Sequence, residues 1–356
     1  MTLDKLLRPQ AISNSVLLVA LGVLVAYFLT QAPAFGNSTN LVTLANNAAA
    51  LGIVVVPFTL LVISGNIDFS VGSTAGLTGT LLAVAVTQWG LSEGLGLALA
   101  LSAAVAIGCI NGFLCIILGF NPIIVTLGML GALRGGTLLV QQDQVYGIGP
   151  LVEFIGTGQI LELPITLCLT VVVFLLGAIF LTTTPWGRQI YAIGANKEAA
   201  YLSALPVKTQ QFVLYVVTSF AAGLAGIVFT ARLNGVSPAV TGDGLEFAAL
   251  TIVLLGGVAF AGGRGSLFGV FIAWLFLAAL QNGLVLMNVT PYVQTVASGL
   301  ALVFAAALDR LGSTVVPRVR ARLEARRQLR LAVGDRTGSE PLASAQPRSE
   351  ADLLPT

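Results

Sequence analysis

Residues Thr184–Thr209 read TPWGRQIYAIGANKEAAYLSALPVKT, a polar stretch between two long apolar blocks that carries Arg188, Lys197 and Lys208. Basic residues collect in loops on the cytoplasmic side of a membrane, so three in one short loop place it there and orient the apolar blocks beside it. Within the loop, Asn196 precedes Lys197-Glu198-Ala199-Ala200-Tyr201-Leu202-Ser203-Ala204, a run of helix formers followed by Pro206. A capping side chain in front and a proline behind predict a short helix of about two turns, lying outside the membrane. It is either a solvated connector or a docking helix offered to a partner.

Composition supports the membrane reading. Apolar residues make up 56% of the 356, charged residues 9%, and the mean hydropathy is +0.94. Soluble domains carry roughly 25% charge, so this chain is integral to a bilayer and divides into spans of about 20 residues. The net charge of +2 gives no reason to invoke nucleic acid. With no histidine, and with Cys109, Cys115 and Cys168 all in apolar spans, histidine catalysis, Cys/His metal sites and a disulfide framework are not indicated.

Apolar blocks and polar breaks give ten expected spans, at about 14–33, 41–63, 70–90, 93–118, 121–140, 162–183, 209–231, 245–262, 266–287 and 291–309. The first follows Lys5 and Arg8 but lacks a small-residue cleavage site, so it is read as an uncleaved span rather than a signal peptide. An even number of crossings puts both termini in the cytoplasm, where Lys5 and Arg8 and the run Arg318 to Arg330 belong. Residues 141–162, with Asp143, Glu153 and Glu162 and no Lys or Arg, then face outward. The expected organisation is a cytoplasmic segment 1–13, a transmembrane domain 14–309 containing the loop 184–209, a basic surface helix within 310–333 that contacts membrane lipid, and a disordered tail 334–356.

Glycine is abundant, at 40 residues, and clusters where spans meet or break. Small residues let membrane helices approach closely and permit broken helices beside a cavity. A faint repeat points the same way: Asn111-Gly112 then Asn121-Pro122 and Gly128, against Asn282-Gly283 then Thr290-Pro291 and Gly299. The two copies would run in opposite directions, a building plan used by transporters. Generic helix-end chemistry is the competing explanation.

Polar groups at membrane depth are costly unless satisfied, which singles out the candidate pathway or gate residues Asn66, Asp68, Ser70, Asn121, Thr126, Arg134 and Asn282. Asp68, between the second and third spans, caps the start of the third or meets solute directly. Arg134 is the only basic residue well inside an apolar block, and needs a carboxylate, backbone carbonyls or water, facing either the interior or the outer surface. The glycine-rich turn Gly256–Ser266 superficially resembles a phosphate loop, but no G-x-x-x-x-G-K-[ST] sequence occurs in the chain.

Four stretches carry a resemblance. Gly65-Asn66-Ile67-Asp68-Phe69-Ser70-Val71-Gly72-Ser73 resembles the G-G-I-D-L-S-V-G-S signature of the ribose-type sugar permeases of bacterial ABC importers. Asn121-Pro122-Ile123-Ile124-Val125-Thr126-Leu127-Gly128 is similar to that family's N-P-F-I-V-T-L-G segment. Gly187-Arg188 with Gly194-Ala195-Asn196-Lys197-Glu198-Ala199-Ala200 is similar to its G-x-N-x-x-A-A loop, and Gly256–Ser266 to its G-G-x-x-x-x-G-G-x-G-S turn. The resemblance implies an all-α integral membrane protein of about ten transmembrane helices with vitamin-B12-importer-like architecture, a multi-pass subunit of the bacterial inner membrane. It implies an ATP-binding subunit docked at Arg188, Gly194, Asn196, Lys197, Glu198, Ala199, Ala200 and Ser203, a periplasmic or lipid-anchored sugar-binding protein, and a second permease subunit. ATP and magnesium would be bound by the partner, and the permease would perform no bond chemistry. Asn66, Phe69, Ala204 and Pro206 depart from the ribose pattern, and Ser203-Ala204-Leu205-Pro206-Val207 is closer to the autoinducer-2 and rhamnose permeases. Substrate and homodimer versus heterodimer therefore stay open. The alternative is an ion-coupled secondary transporter of a small polar solute, with Asp68 and Arg134 as coupling groups.

Overall fold

The computed structural model describes residues 9–290 and 292–307; of residues 9–13 it describes the backbone alone. Lys5, Arg8, the basic helix expected within 310–333 and the tail 334–356 lie outside the described residues.

Among the described residues, ten apolar helices lie where the ten spans were expected. Seven are long and apolar enough to cross a membrane unaided: α1 (Pro9–Gln31), α2 (Ser38–Ile63), α4 (Glu93–Gly112, continued by a π turn at Phe113–Ile117), α5 (Pro122–Val140), α7 (Ile165–Thr183), α10 (Val207–Leu233) and α12 (Leu267–Leu286). Three are shorter: α3 (Val71–Thr87), α11 (Leu245–Leu255) and α13 (Tyr292–Ala307). Polar side chains placed just ahead of the apolar runs fix several starts, because each takes up an orphan amide of the first turn. Asn37 accepts from Thr39 N at 3.1 Å, Asn121 from Ile123 N at 2.9 Å and Ser266 from Phe268 N at 3.2 Å.

Burial sorts the helices. The apolar window of α2 is 83% buried and that of α10 61%, whereas those of α1 and α5 are 11% buried. The bundle is thus organised around α2 and α10, and α1 and α5 present apolar faces outward, as lipid contact or subunit packing requires. At 27 residues, α10 spans about 40 Å and packs along α2, α3 and α4.

The polar stretch between α7 and α10 forms two helices rather than the one expected: α8 (Pro185–Ala195) and α9 (Lys197–Leu202). Thr184 starts α8 by accepting from Gly187 N at 3.0 Å, and the cap was missed because Gly187 and Gly194 weaken the helical pattern. The end of the bundle carrying α8 and α9 also holds the C-terminal ends of α2 and α4. At the far end, the segment between α5 and α7 contains α6 (Pro150–Thr157), a strand β1 (Val145–Tyr146) and the hairpin of β2 (Gln159–Ile160) with β3 (Leu163–Pro164). Strand β1 pairs antiparallel with β4 (Gly235–Val236), just past α10. Asn111-Gly112 lies at the α8–α9 end, beside Asp68, and Asn282-Gly283 at the far end, beside Asn40.

Candidate functional site

The chain between α2 and α3, Ser64 to Ser70, breaks the helix inside the protein. Asp68, Ser70 and Asn111 have no exposed surface. A buried, unwound backbone must find partners for its polar groups, and neighbouring helices supply them. From α10, Gln211 Nε2 donates to Ser64 O at 2.9 Å and Tyr215 OH to Ile67 O at 3.2 Å. Asp68 Oδ1 accepts from Ser70 N at 2.8 Å and Ser70 Oγ at 2.6 Å, and Oδ2 accepts from Asn111 Nδ2 of α4 at 3.3 Å. Asn111 Nδ2 also donates to Ser70 Oγ at 2.9 Å. Asp68 therefore ties down the turn before α3 through Ser70, the residue that precedes its first turn, and makes no bond to the amides of that turn. Asn111, Gln211 and Tyr215 were missed as site residues, since nothing in their local sequence distinguishes a polar side chain aimed at a broken helix from one facing lipid.

Three of the glycine-rich stretches meet at the α8–α9 end. Gly263 N donates to Ile63 O at 2.8 Å. A Cβ on Gly194 would stand 1.8 Å from that same Ile63 oxygen and 2.5 Å from Gly263 N, so the end of α8 lies in direct backbone contact with both. Gly263, at φ +73°, could carry no side chain either, its Cβ falling 2.6 Å from Ala195 Cα. Tyr191 OH donates to Gly265 O at 3.1 Å; burial raises this phenol above its ordinary value, so it remains a neutral donor. Gln210 Nε2 donates to Gln189 Oε1, tying α10 to α8.

This geometry divides the expected docking residues. Arg188, Asn196, Lys197, Glu198, Ala199 and Ser203 are exposed, with Asn196 Oδ1 accepting from Ala199 N at 2.9 Å as the cap of α9. Gly194 packs inward, and Ala200 is buried with Ile193 and Val207. These two build the platform, Ala200 fully and Gly194 in part withdrawn from the surface. The surface itself includes Tyr201 and Leu202, 69% and 80% exposed, which sequence reasoning passed over as ordinary helix residues. Ala204 closes the turn at φ +57°, a conformation costing an L-residue roughly 1–2 kcal/mol.

The expected pathway residues do not form one cluster. Asn66 and Asn121 line a cavity of about 210 Å³ at the α8–α9 end, with Phe260 opposite. Thr126 is buried and donates to Pro122 O within α5 at 2.8 Å. Arg134 faces the interior: Nη1 donates to Thr241 O at 3.0 Å and Nη2 lies 3.5 Å from Asp243 Oδ1. Asn282 exchanges paired hydrogen bonds with Asn40, at 2.9 and 3.0 Å, clamping α12 to α2 at the far end. Two further groups went unnoticed in the sequence. Glu246, 3% exposed, lies against Gly72 of α3, and Arg232 in the last turn of α10 donates to Asn47. The ion-coupled reading rested on Asp68 and Arg134, and both are engaged by partners within the chain.

A predominantly helical polytopic bundle, whose most buried long helix, α2, ends in a buried break with the end of α8 in backbone contact, has the organisation of a membrane transport permease. A family model described as the permease component of the branched-chain amino acid transport system matches residues 40–306. The chain is 33% identical to the ribose import permease of Escherichia coli, over 82% of this chain and 92% of that protein. It is 34% identical to the D-allose transport system permease of Escherichia coli, over 82% and 90% of the two. With the autoinducer 2 import system permease of Photorhabdus temperata it shares 32% identity over 72% of this chain and 78% of the relative. No solved structure matches the chain. The chain belongs to this permease family, and it is a membrane-spanning permease subunit of an ABC importer.

Proposed function

We propose that the chain forms the membrane passage of an ATP-driven importer of a monosaccharide or similar polyol in the bacterial inner membrane. The α8–α9 end faces the cytoplasm, as do both termini, and the far end receives solute from a periplasmic or lipid-anchored binding protein. A separate subunit binds ATP and magnesium and docks on α8 and α9, and a second permease subunit completes the passage. The sugar class follows the relatives named for ribose and allose import.

The observation that carries this reading is the direct backbone contact from Gly194 to Ile63 and Gly263. A force applied to exposed α9 reaches the α2–α3 break through main-chain atoms, with no flexible side chain between. The basic residues Arg188, Lys197 and Lys208, all exposed around Tyr201 and Leu202, agree with a cytoplasmic site. The test is reconstitution in liposomes with a candidate ATP-binding subunit and binding protein, measuring ATP-dependent uptake of ribose and allose. Uptake of either supports the reading. A folded permease that captures no ATP-binding subunit and moves neither sugar overturns it.

A further inference from the structure

Helix α10 carries a basic residue in its first turn, Lys208, and another in its last, Arg232, with no charged residue between them. They stand about 36 Å apart along the axis, slightly more than the roughly 30 Å of a bilayer's hydrocarbon core, so each lies at a headgroup level. Lys208 belongs to the basic loop; Arg232 is at the opposite end, where retention of positive charge does not explain it. Arg232 is half-buried, and its guanidinium donates to Asn47 Oδ1 of α2, a neutral amide. Among the described residues, the one ion pair is Arg134 with Asp243. A guanidinium is not deprotonated in a protein, so the charge of Arg232 stands uncompensated.

Arg232 and Asn47 line a half-open groove of about 850 Å³ bounded by α2, α10, α11, α12 and α13. One turn closer to the membrane centre the lining changes to hydrocarbon: Phe229 follows Arg232 on the same face of α10, and Leu51 follows Asn47 on α2. Ala278 of α12 and the exposed ring of Phe247 of α11 continue the apolar surface. Asp243, the one carboxylate of the lining, is held by Arg134, which lies outside it. The groove thus has a single free charge, positive, at one end of an open apolar channel.

That polarity is the polarity of a phospholipid, an anionic phosphate diester above hydrocarbon. The planar fork of an arginine matches two phosphate oxygens, and at headgroup level lipid phosphates are the anions at hand. A second copy of the chain fits less well, since packed about a two-fold axis it would present the same face, whose carboxylate is already paired. We propose that this groove holds one phospholipid of the leaflet remote from α8 and α9, its phosphate on Arg232 and an acyl chain lying along Phe229, Leu51 and Ala278. The site goes beyond the importer reading and depends on neither ATP nor solute.

The test takes the full chain in detergent, strips it of lipid, adds palmitoyl-oleoyl phosphatidylglycerol and reads bound lipid per protomer by native mass spectrometry. Wild-type protein is expected to bind one lipid tightly. The dissociation constant should rise at least tenfold in Arg232→Gln, and Ala278→Trp, which fills the channel, should bind none. Arg264→Gln, at an exposed arginine outside the groove, should bind as wild type does. Diacylglycerol with the same chains should bind at least tenfold more weakly, and soluble glycerol phosphate should not compete. Unchanged affinity in Arg232→Gln, or equal affinity for diacylglycerol, would overturn the site. Displacement by glycerol phosphate would overturn it in favour of a soluble anion, and loss of the lipid whenever two chains pair would make the groove an interface between copies instead. Melting curves accompany both groove variants; if Ala278→Trp does not fold, Arg232→Gln decides alone.

Discussion

The Ile63 carbonyl, the last of α2, accepts from Gly263 N at 2.8 Å, and Gly194 at the end of α8 lies against that same oxygen. Three segments far apart in sequence thus share one carbonyl at the point where the membrane helix breaks. Both neighbours of a Gly194 methyl group would be backbone atoms, which cannot swing aside. Gly194→Ala is therefore expected to cost about 1–3 kcal/mol, the usual penalty of overpacking, and to lower the melting temperature in detergent by several degrees. Gly128→Ala, on the open face of α5 with nothing within 4 Å of the new methyl, should leave it unchanged or raise it slightly. Equal melting of the two variants would remove the claim of tight contact.

Much of this arrangement was legible in the sequence, and the reasons differ by element. Spans were readable because apolar length is a strong signal, and the cap at Asn196 because a polar residue before a helix-forming run has one common use. Helix α8 was not readable, since its apolar residues Ile190 and Ile193 are buried against other parts of the chain that local pattern does not reveal. The same limit hid Gln211 and Tyr215. Their side chains are read as ordinary positions in a long helix until the break at Ser64 to Ser70 is placed beside them. Arg232 escaped because it falls in the last turn of its helix, where an arginine is unremarkable by charge alone.

Asp68 and Asn111 form a buried acceptor and donor pair, so their exchange is informative. In Asp68→Asn, with the new amide oxygen facing Ser70, the new NH₂ meets the Asn111 NH₂, and turning the Asn111 amide over to offer its unpartnered Oδ1 gives up the bond from Nδ2 to Ser70 Oγ. The single change should cost about 1–3 kcal/mol, as an unsatisfied buried polar group does. Adding Asn111→Asp restores a donor facing a carboxylate and should recover at least half of the loss. Thermal melting of the single and double variants, with uptake measured alongside, decides the matter. A double variant no more stable than the sum of the single losses would show that the two side chains act independently.

Arg134 has two partners of unequal weight. Asp243 is 75% exposed, so the ion pair is screened and should contribute well under about 1 kcal/mol. The bond to the Thr241 carbonyl holds α5 to the turn before α11, and a charged donor to a part-buried acceptor contributes roughly 1.5–3 kcal/mol. Asp243→Asn should accordingly shift stability little, and its small effect should shrink further in high salt. Arg134→Ala should be clearly the more destabilising. Comparable losses in melting temperature for the two would show that the ion pair, and not the carbonyl bond, is the main tie.

Tyr201 and Leu202 offer the clearest separation of docking from folding. Both side chains are largely exposed, and the buried anchors of the helix pair are Ile193, Ala200 and Val207. Replacing both by serine removes apolar surface that supports nothing inside the permease, so melting should change by less than a degree or two. Partner capture should weaken at least tenfold, which corresponds to about 1.4 kcal/mol, because exposed aromatic and aliphatic side chains at the centre of an interface carry much of its binding energy. Ala200→Asp, by contrast, should impair folding and capture together, since it places a charge in the platform beneath. Co-purification of a candidate ATP-binding subunit with each variant, set against its melting curve, distinguishes the two. If the serine variant captures the partner as well as wild type does, the docking surface must lie on α8 around Arg188 instead.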